Sequence, residues 1–408
     1  MVSVDKTLRF NPGSPFFQTN LHAVYQHMRI NLPVVKLGRT WVLTRYQDIC
    51  QVLKDRTFLS SGIPEDLHAA LEKQDLILSP ALRSILYGIV LLEDGDVHRE
   101  HRQALQAVLS GEAWAELSLL VASKATMLIE KLPDERLIDG IGQIAAPLWA
   151  ELFPAWLNLS AGEQRVVAQE KSAIRLLLDP SGIDSTGLAR LLTALSNLDS
   201  MFCRLCLKHQ TGHDSLFYRS LLKGYGGDTQ ALAQRFSTDC ITMLIGGSET
   251  SEALSGNMLF MLAKYPELQA GIRTQSVRIK DVVSETMRFE SPLQMARRRV
   301  GVPVTLHGRR LLAGDNVLLC LGSANRDETV FEDASRFIPG RKNAQRQLGF
   351  GTGAHQCIGQ LLAQLQAEHL AALLCARGSF SLDGQAEWSR RSMILRTLNK
   401  LPLRMTKS

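Results

Sequence analysis

The chain has 408 residues, 45% of them hydrophobic and 21% charged, which supplies apolar material for a large core and excludes a disordered or collagen-like chain. Its formal charge of +6 comes from 46 basic and 40 acidic residues with no long Lys/Arg run, a balance that argues against nucleic acid and suits an acidic protein partner. No apolar run reaches the ~18 residues of a membrane helix, and the N-terminal MVSVDKTLRFNPGSPFF lacks a charged-then-apolar leader, so a cytoplasmic protein that does not enter a membrane is expected.

Residues 33–59 predict two short strands around the Gly38-Arg39 turn, followed by a helix. Helical periodicity dominates from about 98 to 270, with breaks at Pro133, Pro180 and the TGHD stretch at 211–214. One long helix is expected over 229–264, stopped by Pro266, because the residue before a proline disfavours helical geometry. A helix over 278–290 ends before Pro292. Short strands follow over 297–321, with turns at His307-Gly308 and Gly314-Asp315. A loop-rich stretch over 325–356 leads to a last helix starting near Cys357. The expected fold class is mainly α with small β-sheets (α+β), in one domain spanning residues 1–408. The 7 cysteines are odd in number and scattered, which argues against a disulfide framework. Cys203 and Cys206 sit at helical spacing among apolar neighbours and read as core thiols, not half of a zinc site.

Four motifs carry chemistry. In Phe350-Gly351-Thr352-Gly353-Ala354-His355-Gln356-Cys357-Ile358-Gly359, three glycines let the backbone turn tightly and approach a flat ligand. Cys357 stands where this loop meets a helix start, a place where backbone N–H groups favour a thiolate, and a thiolate is a strongly donating axial ligand for haem. Glu285 and Arg288 lie one turn apart and can pair, with Arg336 as the candidate third member. Gly246 and Gly247 stand mid-helix at ~1 kcal/mol each relative to alanine, which predicts a groove beside the acid–alcohol pair Glu249-Thr250, able to relay protons. His98 and Arg102 share a helix face and, with His355 and one of Arg297, Arg298 and Arg299, could hold paired carboxylates. Taken singly, each of these has an ordinary structural reading: a buried thiol, a surface ion pair, a close helix contact or a solvated charge.

Together they resemble the cytochrome P450 family in its soluble bacterial form. Phe350–Gly359 fits F-x-x-G-x-x-x-C-x-G, and Glu285/Arg288 fit E-x-x-R. Gly246, Gly247, Glu249 and Thr250 fit the oxygen-activating helix, and Ala324-Asn325-Arg326-Asp327 with Phe331 and Arg336-Phe337 fit the segment before the Cys loop. The order agrees over about residues 30–405. Ala334, Gln364 and Gln366 depart from common family choices on the side of the partner surface. The resemblance implies haem b (iron protoporphyrin IX) seated between the long helix and the Cys-loop helix, with Cys357 as the iron ligand. By the same resemblance His98, Arg102, Arg298 and His355 hold the haem propionates, Phe350, Gly351 and Gly359 shape the loop, and Glu249, Thr250, Gly246 and Gly247 serve oxygen activation.

The implied activity is monooxygenation of a mainly hydrophobic small molecule in natural-product metabolism. O2 is the co-substrate, a ferredoxin/ferredoxin reductase system the electron donor, and a carrier protein a further candidate partner. Oxidative coupling, rearrangement, peroxide-driven oxidation and a non-catalytic haem sensor are the alternatives. The expected pocket wall comprises Ile85, Leu86, Tyr87, Val90 and Leu91, Met243 and Leu244, and Leu293, Met295 and Ala296, with Gln294 and Ser248 as polar groups. The expected donor-docking cations are Arg99, Arg102, Arg341, Lys342 and Arg346.

Overall fold

The computed structural model describes residues 10–133, 137–177, 179 and 184–407. The leader reading for residues 1–9 and the break at Pro180 lie outside them.

Helices build most of the molecule, and the long helix Thr229–Lys264 runs through its middle. Asp228 starts it, accepting from the N–H groups of Gln230 and Ala231 at 2.9 and 3.0 Å, which satisfies two otherwise orphaned donors. Pro266 ends it as expected. The helix joins two apolar cores. Its first half, with Phe236, Cys240, Ile241 and Leu244, packs into a cluster with Leu152, Trp156, Leu198 and Phe202. Its last turns, with Leu254, Met258 and Leu262, pack with Val283, Leu370 and Leu403. From Phe236 to Ala263 most of its residues are buried, which marks it as an interior helix. The glycine–acid–alcohol stretch falls at the junction of the two cores, where the helix needs neither.

The largest sheet has five strands in the order Val34–Leu37, Thr40–Leu43, Asn316–Leu319, Ala296–Val300, Phe58–Leu59. Only Thr40–Leu43 with Asn316–Leu319 is parallel. The sheet anchors Arg297, Arg298 and Arg299 beside the chain's central cavity. The predicted His307-Gly308 turn closes a two-stranded hairpin with both residues at positive φ, +50° and +67°, the backbone that such tight hairpins require.

The last helix, expected to start near Cys357, is Gln360–Arg377, and the Cys357 N–H donates to the Phe350 carbonyl at 2.9 Å, closing the loop ahead of it. Two sequence expectations are corrected. Cys206 is buried but Cys203, one turn earlier on the helix Ser185–Gln210, is exposed and donates its thiol to the Asp199 carboxylate. Arg336 is not part of the Glu285–Arg288 network: its guanidinium faces outward to Asp333 at 3.2 Å. Its backbone carbonyl accepts from Arg288 instead, and Arg341 supplies the second guanidinium at 3.4 Å from Glu285. All seven cysteines are free, as expected. No helix among the described residues is long and apolar enough to cross a membrane.

Candidate active site

A cavity of about 540 Å³ lies between the Cys357 loop and the middle of the long helix. On one wall stand Phe350, Gly351, His355, Cys357 and Gly359; on the other stand Thr242, Met243, Gly246, Gly247, Thr250 and Ser251. The loop holds its shape through backbone conformations that side chains resist. Gly351 and Gly353 have φ of +67° and +78°, and a Cβ on Gly353 would run into the Leu53 carbonyl. Cys357 is exposed to the cavity while protein atoms enclose it elsewhere. Burial pushes its thiol pKa up, opposed by the Gly359 N–H and the Arg102 guanidinium.

The two glycines of the long helix have different reasons. A Cβ on Gly246 would meet nothing, so this residue leaves open space at the cavity wall. A Cβ on Gly247 would overlap the Trp149 ring, so this one is required by packing. The groove expected from the pair is Gly246's, and the close helix contact is Gly247's. Thr250 lines the cavity with its hydroxyl donated to the Gly246 carbonyl. Glu249 does not line it. One residue along a helix is a rotation of about 100°, and this turns Glu249 toward Arg175, 3.9 Å away. Burial raises the Glu249 pKa, while Arg175 and Lys171 pull it down.

Four groups expected around a pair of carboxylates converge beside the loop. His98 and His355 stack with ring centroids 4.0 Å apart. Burial, with His355 and Arg102 acting in the same sense, lowers the His98 pKa to about 4. Asp94 holds His355 at 3.2 Å while its other oxygen accepts the Ser60 and Ser61 N–H groups. Arg102 lines the cavity and donates to the Gln356 carbonyl at 2.6 Å.

The choice among the three consecutive arginines is made by their partners. Arg297 pairs with Asp66 at 2.8 Å, and Arg299 pairs with Glu65 and Asp66. Arg298 lines the cavity, donates only to the Arg297 carbonyl at 2.8 Å and has no ion pair among the described residues. Burial lowers its pKa. A half-buried guanidinium without a counterion calls for an anion that arrives with a ligand. Together with Arg102 and His355 it fits a flat group carrying two carboxylates, with the Cys357 thiol on the same side of the cavity. No cluster of three or more His, Cys, Asp or Glu side chains that could hold a metal ion exists among the described residues.

The apolar walls agree only partly with the sequence. Leu91, Met243, Leu293, Met295 and Ala296 line the cavity. Ile85, Leu86, Val90 and Leu244 face the neighbouring helical core, and Tyr87 packs on His68. Ser248 is buried away from the cavity, and Gln294 donates to the Ser291 carbonyl at 2.7 Å. Sequence reasoning missed the helix Gly62–Glu72, which contributes Ile63, Asp66, Leu67 and Ala70. Its apolar spacing marks a helix, but nothing local marks which buried face meets a cavity.

The fold and this site define a haem-dependent oxidoreductase. The chain belongs to the cytochrome P450 family: the family model for cytochrome P450 matches residues 208–400. Linalool 8-monooxygenase of Pseudomonas putida is 25% identical over 83% of this chain and 82% of that protein. A biotin biosynthesis cytochrome P450 of Bacillus subtilis is 26% identical over 97% and 99%. Among solved structures, CalO2 superposes with a TM-score of 0.87 at 22% identity, covering 98% of this chain and 99% of that one. P450BioI in complex with an acyl carrier protein gives 0.85 at 22%, covering 96% and 100%. The protein is accordingly a P450 monooxygenase that uses haem b, O2 and a redox partner.

Proposed function

We propose that Cys357 is the iron ligand and that the enzyme hydroxylates a mainly hydrophobic small molecule in natural-product metabolism, with electrons from a ferredoxin system. The observation that carries this reading is the placement of the Cys357 thiol and the Thr250 hydroxyl on facing walls of one apolar cavity. Thiolate-ligated haem, when bound, supplies the binding and reductive cleavage of O2. Arg102, Arg298 and His355 hold its two carboxylates, and His98 keeps the His355 ring in place by stacking. Thr250 presents a hydroxyl that orders water and passes a proton into the cavity. Glu249 is turned to Arg175 and does not line the cavity with Thr250.

The walls formed by Leu91, Met243, Leu293 and Met295 favour substrates by removing apolar surface from water, worth ~25 cal/mol per Å². Terpenoid, polyketide and aromatic alkaloid skeletons meet that chemistry, and linalool 8-monooxygenase among the relatives points the same way. A carrier-bound acyl chain is the second reading, favoured by the likeness to P450BioI with its acyl carrier protein and by the net charge of +6. In Thr250→Ala, haem and substrate binding persist, but product per NADH falls by about tenfold or more, with peroxide released instead. Full coupling in that variant removes Thr250 from its role.

Donor docking rests on Arg99, Arg102, Lys342 and Arg346. Arg341 leaves the expected set because its guanidinium is buried against Glu285. Reduction of the haem by ferredoxin should slow steadily as salt rises from about 0.01 to 0.5 M, because surface charge steering is screened over ~10 Å at 0.1 M. Arg346→Glu should slow it at low salt only. A rate that stays flat across that range counts against charged docking.

A further inference from the structure

Behind the cavity, a cluster of buried ionisable groups ties together the two helices that carry its functional residues. His101 lies on the helix Gly95–Gln106, between His98 and Arg102 in the chain. Its Nδ1 is 2.7 Å from Glu93 and its Nε2 is 2.5 Å from Asp239 of the long helix. His101 is 4% exposed, Glu93 7% and Asp239 0%. Arg235 donates to the other Glu93 oxygen at 2.7 Å, and Tyr225 donates its hydroxyl to Asp239 at 2.8 Å. Two carboxylates are thus balanced by Arg235 and by an imidazolium at His101. Without that second positive charge, a buried carboxylate would be left uncompensated.

We propose that His101 is a positioning residue: bridged by Glu93 and Asp239, it fixes Arg102 and His98 against the long helix and so sets how tightly the haem carboxylates are gripped. The inference rests on the haem-holding roles proposed above. Asp239 stands one turn before Thr242 and two before Gly246, so the bridge joins the carboxylate-holding helix to the helix face that lines the cavity. Burial by itself lowers the His101 pKa, but Asp239 and Glu93 overcome this and raise it to about 9. Tyr225, whose own pKa burial pushes up, and Arg235 are the other titratable groups facing the bridge. A histidine whose folded pKa is raised contributes stability that is full below its ordinary value of 6.5 and is lost as pH rises through about 9.

The test is haem transfer from the holoprotein to excess apomyoglobin, followed by the Soret band between about pH 7 and about pH 10. The wild-type rate should rise about tenfold across that interval, and His101→Gln should transfer fast already at neutral pH, with no step. A thermal melt alone would respond to any core defect; the pH step in haem release responds to the bridge. Should His101→Gln not fold, Tyr225→Phe removes one bond to Asp239 without changing charge and should speed release about threefold. A wild-type rate and pH step in either variant overturns the proposal. The ferrous–CO spectrum of the same samples separates the two readings. A red-shifted band keeps Cys357 ligation standing whatever His101 does, and its absence from the wild-type protein sinks that reading together with the role assigned to His101.

Discussion

Cys357→Ala protein will lack the red-shifted Soret band of its ferrous–CO complex and will form no product above background. The loop leaves no substitute thiolate, since none of the other cysteines lines the cavity. The backbone arrangement around Cys357 is specific as well: its N–H closes the loop on Phe350, the Gly359 N–H points at its sulfur, and the Arg102 guanidinium lies near enough to favour negative charge there. A thiolate donates electron density that a neutral ligand does not, which is why the band shift reports the ligand directly. Cys357→His tests the same point with a ligand that still binds iron: haem should remain, with a globin-like ferrous–CO spectrum and no turnover. A red-shifted band in Cys357→Ala would mean that another residue is the ligand.

Glu285→Ala will yield protein that is largely aggregated or devoid of haem. Glu285 and Arg288 are both fully buried, joined by two bonds of 2.8 and 2.7 Å. Arg288 also donates to the carbonyls of Asn325, Ala334 and Arg336, and Glu285 accepts from the Ile338 N–H and from Arg341. The pair therefore nails the segment 325–341, which leads into the Cys loop, onto the helix Ile279–Phe289. Removing the carboxylate leaves two buried guanidinium groups without an anion, at a cost of about 3–5 kcal/mol, comparable to the whole stability of many domains. The Soret-to-protein absorbance ratio and thermal melting measure the outcome. Normal haem content and a melting temperature within a few degrees of the wild-type value would show that the carbonyl bonds alone suffice. Arg336→Ala, by contrast, should be close to neutral, because that guanidinium is exposed and only its backbone takes part.

Features that depend on neighbours close along the chain were legible before folding is considered. Asp228 and Pro266 bound the long helix, the His307-Gly308 pair makes its hairpin, and the glycines around Cys357 make a loop only they can adopt, because caps, turns and positive-φ backbone are local physics. Glu285 with Arg288 was legible for the same reason, being one helical turn apart. What the tertiary structure decided are choices among residues of like type whose partners are distant in sequence. Arg298, not Arg297 or Arg299, is left free because Glu65 and Asp66 arrive from a helix more than two hundred residues earlier. Arg341 replaces Arg336 at Glu285 because the intervening loop folds back. Glu249 has Arg175 as its partner because folding packs the turn Arg175–Leu177 beside the helix face that the 100° step from Thr250 gives it. His101 carried no signal at all until Glu93 and Asp239 were brought onto its two nitrogens, since a buried charge is stabilised only by groups that folding itself assembles.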